Sequence, residues 1–284
     1  MIDEYLGDVA WNDAAWLDRV EAALRDAAAE AVVPRFRALA ADEIAEKAGP
    51  HDLVTVADRE AEQLLERSLT ALLPGSVLVG EEGVDADPAR LAAVRGADPV
   101  WIVDPVDGTA AFVRGEPDFG MLVALAYGGE VLASWTYAPA QDLMAVARRG
   151  AGARANGGPP LASGHPDRDG VLTVATSHPN YTTTGEKRVL DGLDAPGVAA
   201  RPCKSAGLEY LRVASGELDA VAFSWESPWD HAAGLLLVAE AGGANGTVGG
   251  EPFRITGGNA LPFVAARDEE TLRHILGLLG PEAR

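Results

Sequence analysis

The chain has 284 residues, of which 48% are hydrophobic and 23% charged, and a formal net charge of −20; that is the balance of a folded chain with core enough for one large domain or two modest ones, not of a disordered one. No apolar run is long enough to span a membrane, no basic block exists to neutralise nucleic-acid phosphates, and the single Cys203 excludes an internal disulfide framework. Membrane and nucleic-acid partners are set aside, and a reducing cytoplasm is the expected location.

From the N-terminus, residues 1 to 14 are acidic where a secretory signal would be basic. Leu17, Val20, Leu24, Ala27, Ala28 and Ala31 recur at helical spacing, so one helix is expected over 14 to 31, ended by Pro34. Thr55 and Asp58 resemble a capping box opening a second helix, with Leu64, Leu65, Leu69, Leu72 and Leu73 as its buried stripe and Pro74-Gly75 as its stop. Strands are expected at 76 to 79 and 100 to 103, and the run from 119 to 137 reads as two strands joined at Gly128-Gly129. The segment 150 to 170 is rich in Gly and Pro and marks a boundary between an N-terminal α+β lobe, 1 to 150, and a C-terminal α/β lobe, 151 to 284. Beyond it, strands are expected at 171 to 177 and 218 to 223, and an apolar helix at 231 to 241 closed by Gly242-Gly243. The fold class is mixed, α+β or α/β.

Three short segments carry the chemistry. VWIVDPVDGTAAF, 100 to 112, is an apolar strand that stops at Asp104 and Asp107, with Pro105 fixing the turn between them. Mg²⁺ takes oxygen ligands in near-octahedral geometry, so both carboxylates and turn carbonyls such as that of Val106 are candidate ligands. Gly108 and Thr109 follow at the start of a helical turn, where free backbone N–H groups can hold phosphate oxygens. SVLVGEE, 76 to 82, brings Glu81 and Glu82 to the end of another strand, and SPWDHAAG, 227 to 234, places Asp230 at the start of a helix. Taken singly, Asp230 could be an N-cap, Asp58 half of a capping box, and Glu81-Glu82 a solvated loop. Together they are the carboxylate set of a multi-metal phosphate site, and bound cations would locally reverse a negative field that otherwise repels a phosphorylated ligand.

In this order and spacing the segments closely resemble the inositol monophosphatase superfamily of Mg²⁺-dependent, lithium-sensitive phosphatases. The resemblance extends to VVPRFR, to KAGPHDLVTVADREAE, and to EAGG after the last motif, and so covers nearly the whole chain. It implies a layered αβαβα fold, a homodimer and two or three Mg²⁺ ions per site. It implies that Glu81, Asp104 and the Val106 carbonyl hold the first metal, and that Asp104, Asp107 and Asp230 hold the second. Asp58 would assist a third metal and hydrogen-bond Thr109, and Lys47 matches a lysine on a mobile loop. The implied reaction is phosphomonoester hydrolysis by a metal-activated water whose proton passes to Glu81 and to the Thr109–Asp58 pair, with Gly108 and Thr109 steadying the phosphate and no covalent phosphoenzyme.

Rival chemistries lack their residues. An aspartyl-phosphate mechanism needs a second Asp two after the first, and Val106 stands there; a cysteine phosphatase needs Arg six after its Cys, and Glu209 stands there. There is no G-x-S-x-G elbow or Walker loop; His51, His178 and His231 lack zinc-ligand spacing, and His231 reads as a neighbour of the site or a helix-surface residue. The substrate is a small phosphorylated metabolite, with a polyol or sugar monophosphate as the default. Histidinol phosphate, fructose 1,6-bisphosphate and 3′-phosphoadenosine 5′-phosphate are alternatives, and a catalytically silent phosphate-binding homologue is an alternative of another class. The position seven before Asp230, acidic in inositol phosphatases, is Phe223, with Glu226 nearer the motif. Lys204, Ser205, Glu209 and Asp230 are the candidate substrate contacts besides Lys47, and Glu209 could replace the missing acid or be an ordinary helix-surface residue.

Overall fold

A computed structural model describes residues 13–47, 49, 51–164 and 170–280. The acidic stretch 1–12 and residues 165–169 of the Gly- and Pro-rich segment lie outside the described residues. In chain order the elements are α1 (Ala14–Ala27), β1 (Ile44–Glu46), β2 (Leu53–Thr55), α2 (Val56–Leu72), β3 (Val77–Gly80), α3 (Glu81–Ala86), β4 (Val100–Asp107), α4 (Thr109–Val113), β5 (Gly120–Tyr127), β6 (Glu130–Ala138), β7 (Leu143–Arg148) and β8 (Gly152–Ala155). They continue with β9 (Leu172–Thr176), α5 (Thr184–Leu190), β10 (Val198–Pro202), α6 (Ala206–Ala214), β11 (Ala220–Phe223), α7 (Pro228–Glu240), β12 (Ala244–Thr247), β13 (Phe263–Ala266) and α8 (Glu269–Leu279).

The first helix is shorter than its periodicity predicts. Its α geometry ends at Ala27, and the chain continues through a π turn, Ala28–Val32, into a 3-10 turn, Val33–Arg35. Pro34 offers no N–H and its ring crowds the carbonyl four residues back, so the last turns before it cannot keep the α ladder.

Two sheets organise the chain: a six-stranded one ordered β3-β4-β5-β6-β7-β8 and a five-stranded one ordered β10-β9-β11-β13-β12. On one face of the six-stranded sheet lie α1 and α2, with Trp16 stacked on Trp101 at 5.7 Å and tilted against Trp135 at 6.3 Å. On its other face lie α6 and α7, which also pack against the inner face of the five-stranded sheet through Val221, Phe223 and Phe263. The outer face of that sheet is covered by α8 through Leu272 and Ile275. The result is the layered α–β–α–β–α arrangement. Strand β4 shows why both sheet faces must be covered: all eight of its residues are buried, Val100 and Ile102 on one face and Trp101 and Val103 on the other.

Candidate metal centre

β3 and β4 run parallel with Gly80 beside Val103, so Glu81 and Asp104 leave the sheet together at the C-terminal edge. Period-two alternation would send Asp104 and Asp107, three residues apart, to opposite faces of β4. A bulge prevents this. Asp104 pairs with Leu122 and Asp107 with Gly120, so β4 takes three steps while β5 takes two. The extra residue falls at Pro105-Val106, where a missing N–H costs the ladder nothing, and it brings both carboxylates to one face.

The third carboxylate comes from across the molecule. Pro228 opens α7, and Asp230 lies in its first turn. Carboxylate oxygens of Asp104, Asp107 and Asp230 all lie within 4.8 Å of one another. Burial, and then the neighbouring negative charges, push Asp104 and Asp230 well above the usual carboxylate range. Burial also pushes Asp107 up to about 6, despite hydrogen bonds from the Ser205 hydroxyl and the Gly207 and Ala206 amides, and pushes Glu81 up to about 7 against the pull of Lys47.

Around this cluster each neighbour has a definite task. The Ser205 hydroxyl donates to Asp107 Oδ2 at 2.5 Å, and the amides of Ala206 and Gly207 donate to the same carboxylate at 3.0 and 2.7 Å. Trp225 Nε1 donates to Asp230 Oδ2 at 2.9 Å, and His231, fully buried, sits between the Tyr210 hydroxyl and the Trp225 carbonyl, 3.0 Å from each. His231 is therefore not a helix-surface residue; burial pushes its imidazole down to about 3, so it is neutral. Glu62 accepts from the Glu82 and Gly83 amides at 2.8 and 2.7 Å, fixing the first turn of α3 and with it Glu81.

Asp58 does form the capping box with Thr55, yet its other oxygen accepts from the Thr109 hydroxyl, at 3.2 Å, on an element 51 residues away. The same hydroxyl lies 2.9 Å from the Val106 carbonyl. Lys47 Nζ donates to Glu81 at 2.8 Å and to Glu82 at 2.6 Å; burial opposes its charge, but the two carboxylates hold its pKa above the ordinary lysine value. Gly108, with φ 86°, caps the short α4; its left-handed backbone disfavours a side chain, and an added Cβ would lie only 3.0 Å from the Asp118 and Lys204 carbonyl oxygens.

A cavity of about 590 Å³ opens over the cluster, lined by Lys47, Glu81, Asp104, Asp107, Gly108, Thr109, Lys204 and Asp230 among others. Two expected substrate contacts lie elsewhere. The Ser205 hydroxyl is turned onto Asp107 and caps α6. Glu209 is fully enclosed, held by the Arg201 guanidinium at 2.7 and 2.6 Å and by Arg212 at 3.1 Å. A carboxylate so paired is neither a helix-surface residue nor a free acceptor for substrate hydroxyls. Lys204 lines the cavity but bonds Glu116 and Asp118 at 3.0 and 3.1 Å. Phe223 is buried out of the cavity, and Glu226 accepts from the backbone and side chain of Asn259. The cavity wall also contains His51, His178, Tyr181, Trp225 and Trp229, none of them expected as contacts. Only Trp225 and Trp229 carried a signal, standing five residues and one residue before Asp230.

The donor set suits Mg²⁺. It is all oxygen, with Glu81 it comes from three segments, and burial together with mutual repulsion disfavours the ionised carboxylates in a way that a bound cation would relieve.

The chain is similar to known proteins over most of its length. A family model described as the inositol monophosphatase family matches residues 14–277. An inositol-1-monophosphatase of Bacillus subtilis is 35% identical over 212 residues, covering 73% of this chain and 77% of that protein. A fructose-1,6-bisphosphatase/inositol-1-monophosphatase of Thermotoga maritima is 31% identical, covering 71% of this chain and 74% of its own. The Nus factor SuhB of Pseudomonas aeruginosa is 35% identical, with 68% and 71% covered. Among solved structures, the extragenic suppressor protein SuhB of Bartonella henselae superposes with a TM-score of 0.79 at 26% identity, covering 94% of this chain and 99% of that one.

Proposed function

The chain belongs to the inositol monophosphatase family of phosphoric monoester hydrolases, and from that premise we propose that it hydrolyses a small organic phosphomonoester with Mg²⁺ held by Glu81, Asp104, Asp107, Asp230 and the Val106 carbonyl. Two ions are assigned to these groups and a third, weaker one to the neighbourhood of Asp58. The observation that carries the reading is the meeting of three carboxylates, Asp104 and Asp107 buried and Asp230 partly so, within 4.8 Å at the floor of a cavity. When bound, Mg²⁺ would acidify a water molecule and offset the charge on phosphate. The reading also takes the chain to be a lithium-sensitive, cytoplasmic homodimer whose two lobes meet near residue 150.

The chain's own groups do the remaining work. With its proton on Asp58, Thr109 Oγ1 keeps lone pairs free to accept from water, so the pair is a short proton path into a buried carboxylate. Burial pushes Asp58 up to about 6, which makes it a competent acceptor near neutral pH. Glu81 is the second acceptor; Lys47 holds its carboxylate at the cavity wall. The first amides of α4, at Gly108 and Thr109, have no partner inside the helix and are available to the phosphate oxygens.

The names of the relatives supply inositol 1-phosphate and fructose 1,6-bisphosphate as substrates to try, and a polyol or sugar alcohol as the leaving group they share. Phosphate release should be measured for purified protein with Mg²⁺ and with EDTA, against these two, glycerol 2-phosphate and histidinol phosphate. Metal-dependent release abolished by Asp104→Asn in a folded variant is the expected result. Undiminished turnover in that variant would remove the carboxylate cluster from the mechanism.

A further inference from the structure

The buried stripe of α2 carries two carboxylates, Asp58 and Glu62, one helical turn apart and 1% and 6% exposed. Acids are seldom buried on a core-facing stripe unless a partner uses them. Thr109 uses Asp58, whereas Glu62 takes no part in the chemistry above. Its carboxylate points at the opening of α3, where Oε2 accepts from the Glu82 amide at 2.8 Å and Oε1 from the Gly83 amide at 2.7 Å. Those are the second and third amides of the helix, the ones a side chain at the N-cap ordinarily satisfies. The N-cap here is Gly80, which has no side chain to offer. Glu62 is therefore the cap of α3, supplied from a different helix.

The same contact explains Gly80. A Cβ added there would lie 2.9 Å from Glu62 Oε1 and nearer still to the rest of that carboxylate, although the backbone, at φ −112°, suits any residue. The glycine is the space into which the carboxylate fits. α3 has six residues and α4 five, too few for either to hold a direction by itself. Both open on a glycine without a side-chain cap, and both are tied to α2. Glu62 ties α3, and Asp58 ties α4 through the Thr109 hydroxyl at 3.2 Å. One packed helix thereby fixes Glu81, the first residue of α3, relative to Thr109, the first residue of α4. Lys47 also holds Glu81, at 2.8 Å, but from the end of the two-stranded β1–β2 ribbon, a weaker frame than a packed helix.

We propose that Glu62 is a positioning residue for Glu81: by capping α3 from α2 it sets the geometry, and so the affinity, of the metal position that Glu81 serves. This deepens the phosphatase reading above and rests on its assignment of Glu81 as a metal ligand. The test is calorimetric Mg²⁺ binding to the metal-free full chain, beside a Mg²⁺ titration of release from the best of the phosphomonoesters named above. The binding step lost in Glu81→Gln marks the Glu81 position. Glu62→Gln and Gly80→Ala should each weaken that step roughly ten- to hundredfold, the usual effect of losing a group that holds a metal ligand. Together they should weaken it no more than the stronger single change, because both undo one contact. Half-saturating Mg²⁺ for release should rise by the same factor. At saturation kcat should stay within about threefold, since the ion then holds Glu81 itself. Glu66→Gln, one turn further along α2 and bonded to Arg90 with 40% of its side chain exposed, should change neither. Gly80→Ala reads the contact even where Glu62→Gln does not fold. A lower melting temperature in EDTA with unchanged Mg²⁺ affinity, or additive losses in the double variant, overturns this inference and leaves the phosphatase reading standing. The expected binding pattern with no phosphate release upholds the tether and overturns the phosphatase reading. No Mg²⁺ binding by the unaltered chain overturns both.

Discussion

At the scale of single residues the site depends on how each carboxylate is held. Asp107 is fully buried yet accepts three hydrogen bonds, from the Ser205 hydroxyl and the amides of Ala206 and Gly207. Hydrogen bonds to a charged acceptor contribute about 1.5–3 kcal/mol each. Ser205→Ala should therefore weaken Mg²⁺ binding roughly ten- to a hundredfold while leaving turnover at saturating Mg²⁺ nearly intact. A Mg²⁺ titration of phosphate release reads this directly, and an unchanged half-saturation point would show that Ser205 does not hold Asp107 in its ligating position. Thr109 offers a complementary test. Thr109→Ser keeps the hydroxyl between Asp58 and Val106, and Thr109→Val removes it at nearly the same volume. The serine variant should retain most of kcat and the valine variant should lose about 10²–10⁴-fold, as for other positioned proton acceptors, with KM little changed. Equal activity in both variants would exclude Thr109 from the proton path.

At the scale of elements, the crossing of α6 and α7 sets the distance between Asp107 and Asp230. The helices approach at Gly234, where an added Cβ would lie 2.1 Å from the Tyr210 ring, and α6 approaches β5 at Gly207, where an added Cβ would lie 2.2 Å from Leu122. Gly234→Ala should destabilise the fold by about 1–3 kcal/mol, the usual cost of overpacking, seen as a lower melting temperature by calorimetry; an unchanged one would mean that the helices can part without penalty. In the sequence, the glycine of WDHAAG was legible only as part of a motif, because nothing local says which ring it meets. The same limit explains what else was and was not readable. β5 and β6 are buried and appeared at nearly their observed bounds, whereas β4, expected over 100 to 103, continues through its bulge to Asp107. β10, VAARP, is an exposed strand with no alternation and a proline, and gave no signal. β8 was hidden in the Gly- and Pro-rich stretch that read as a lobe boundary. Glu81 and Asp104 were legible because each ends a hydrophobic run, and Asp230 because it stands at the start of an apolar helix. Glu209 was not: its burial depends on Arg201 and Arg212, and only the latter stands at helical spacing to it.

At the scale of the whole molecule, the six-stranded sheet and the α6–α7 layer close around a group of acids whose ionisation burial disfavours. Burial pushes Glu81 and Glu62 up to about 7 and Asp107 and Asp58 up to about 6, and pushes Asp104 and Asp230 higher still. A carboxyl whose pKa is raised on folding holds its proton after the unfolded chain has released its own. Its contribution to stability is therefore fully present below the unfolded value, near 4, and is lost as pH rises through the folded value. His231 acts in the opposite sense, since its folded value is depressed to about 3, but its effect fades as pH rises above its unfolded value near 6.5. Between pH 6.5 and 8.5 the carboxylates are thus left to set the slope. In EDTA the melting temperature should fall across that window as the buried cluster is forced to ionise. Saturating Mg²⁺ should flatten or reverse the fall, because it binds the ionised form, and at pH 6.5 its binding should release protons to the buffer. Calorimetric titrations in two buffers of different ionisation enthalpy count those protons. A metal-free melting temperature that rises through the window, or Mg²⁺ binding with no proton release, would mean that the three carboxylates are already ionised without a cation, and the argument that their burial demands one would fail.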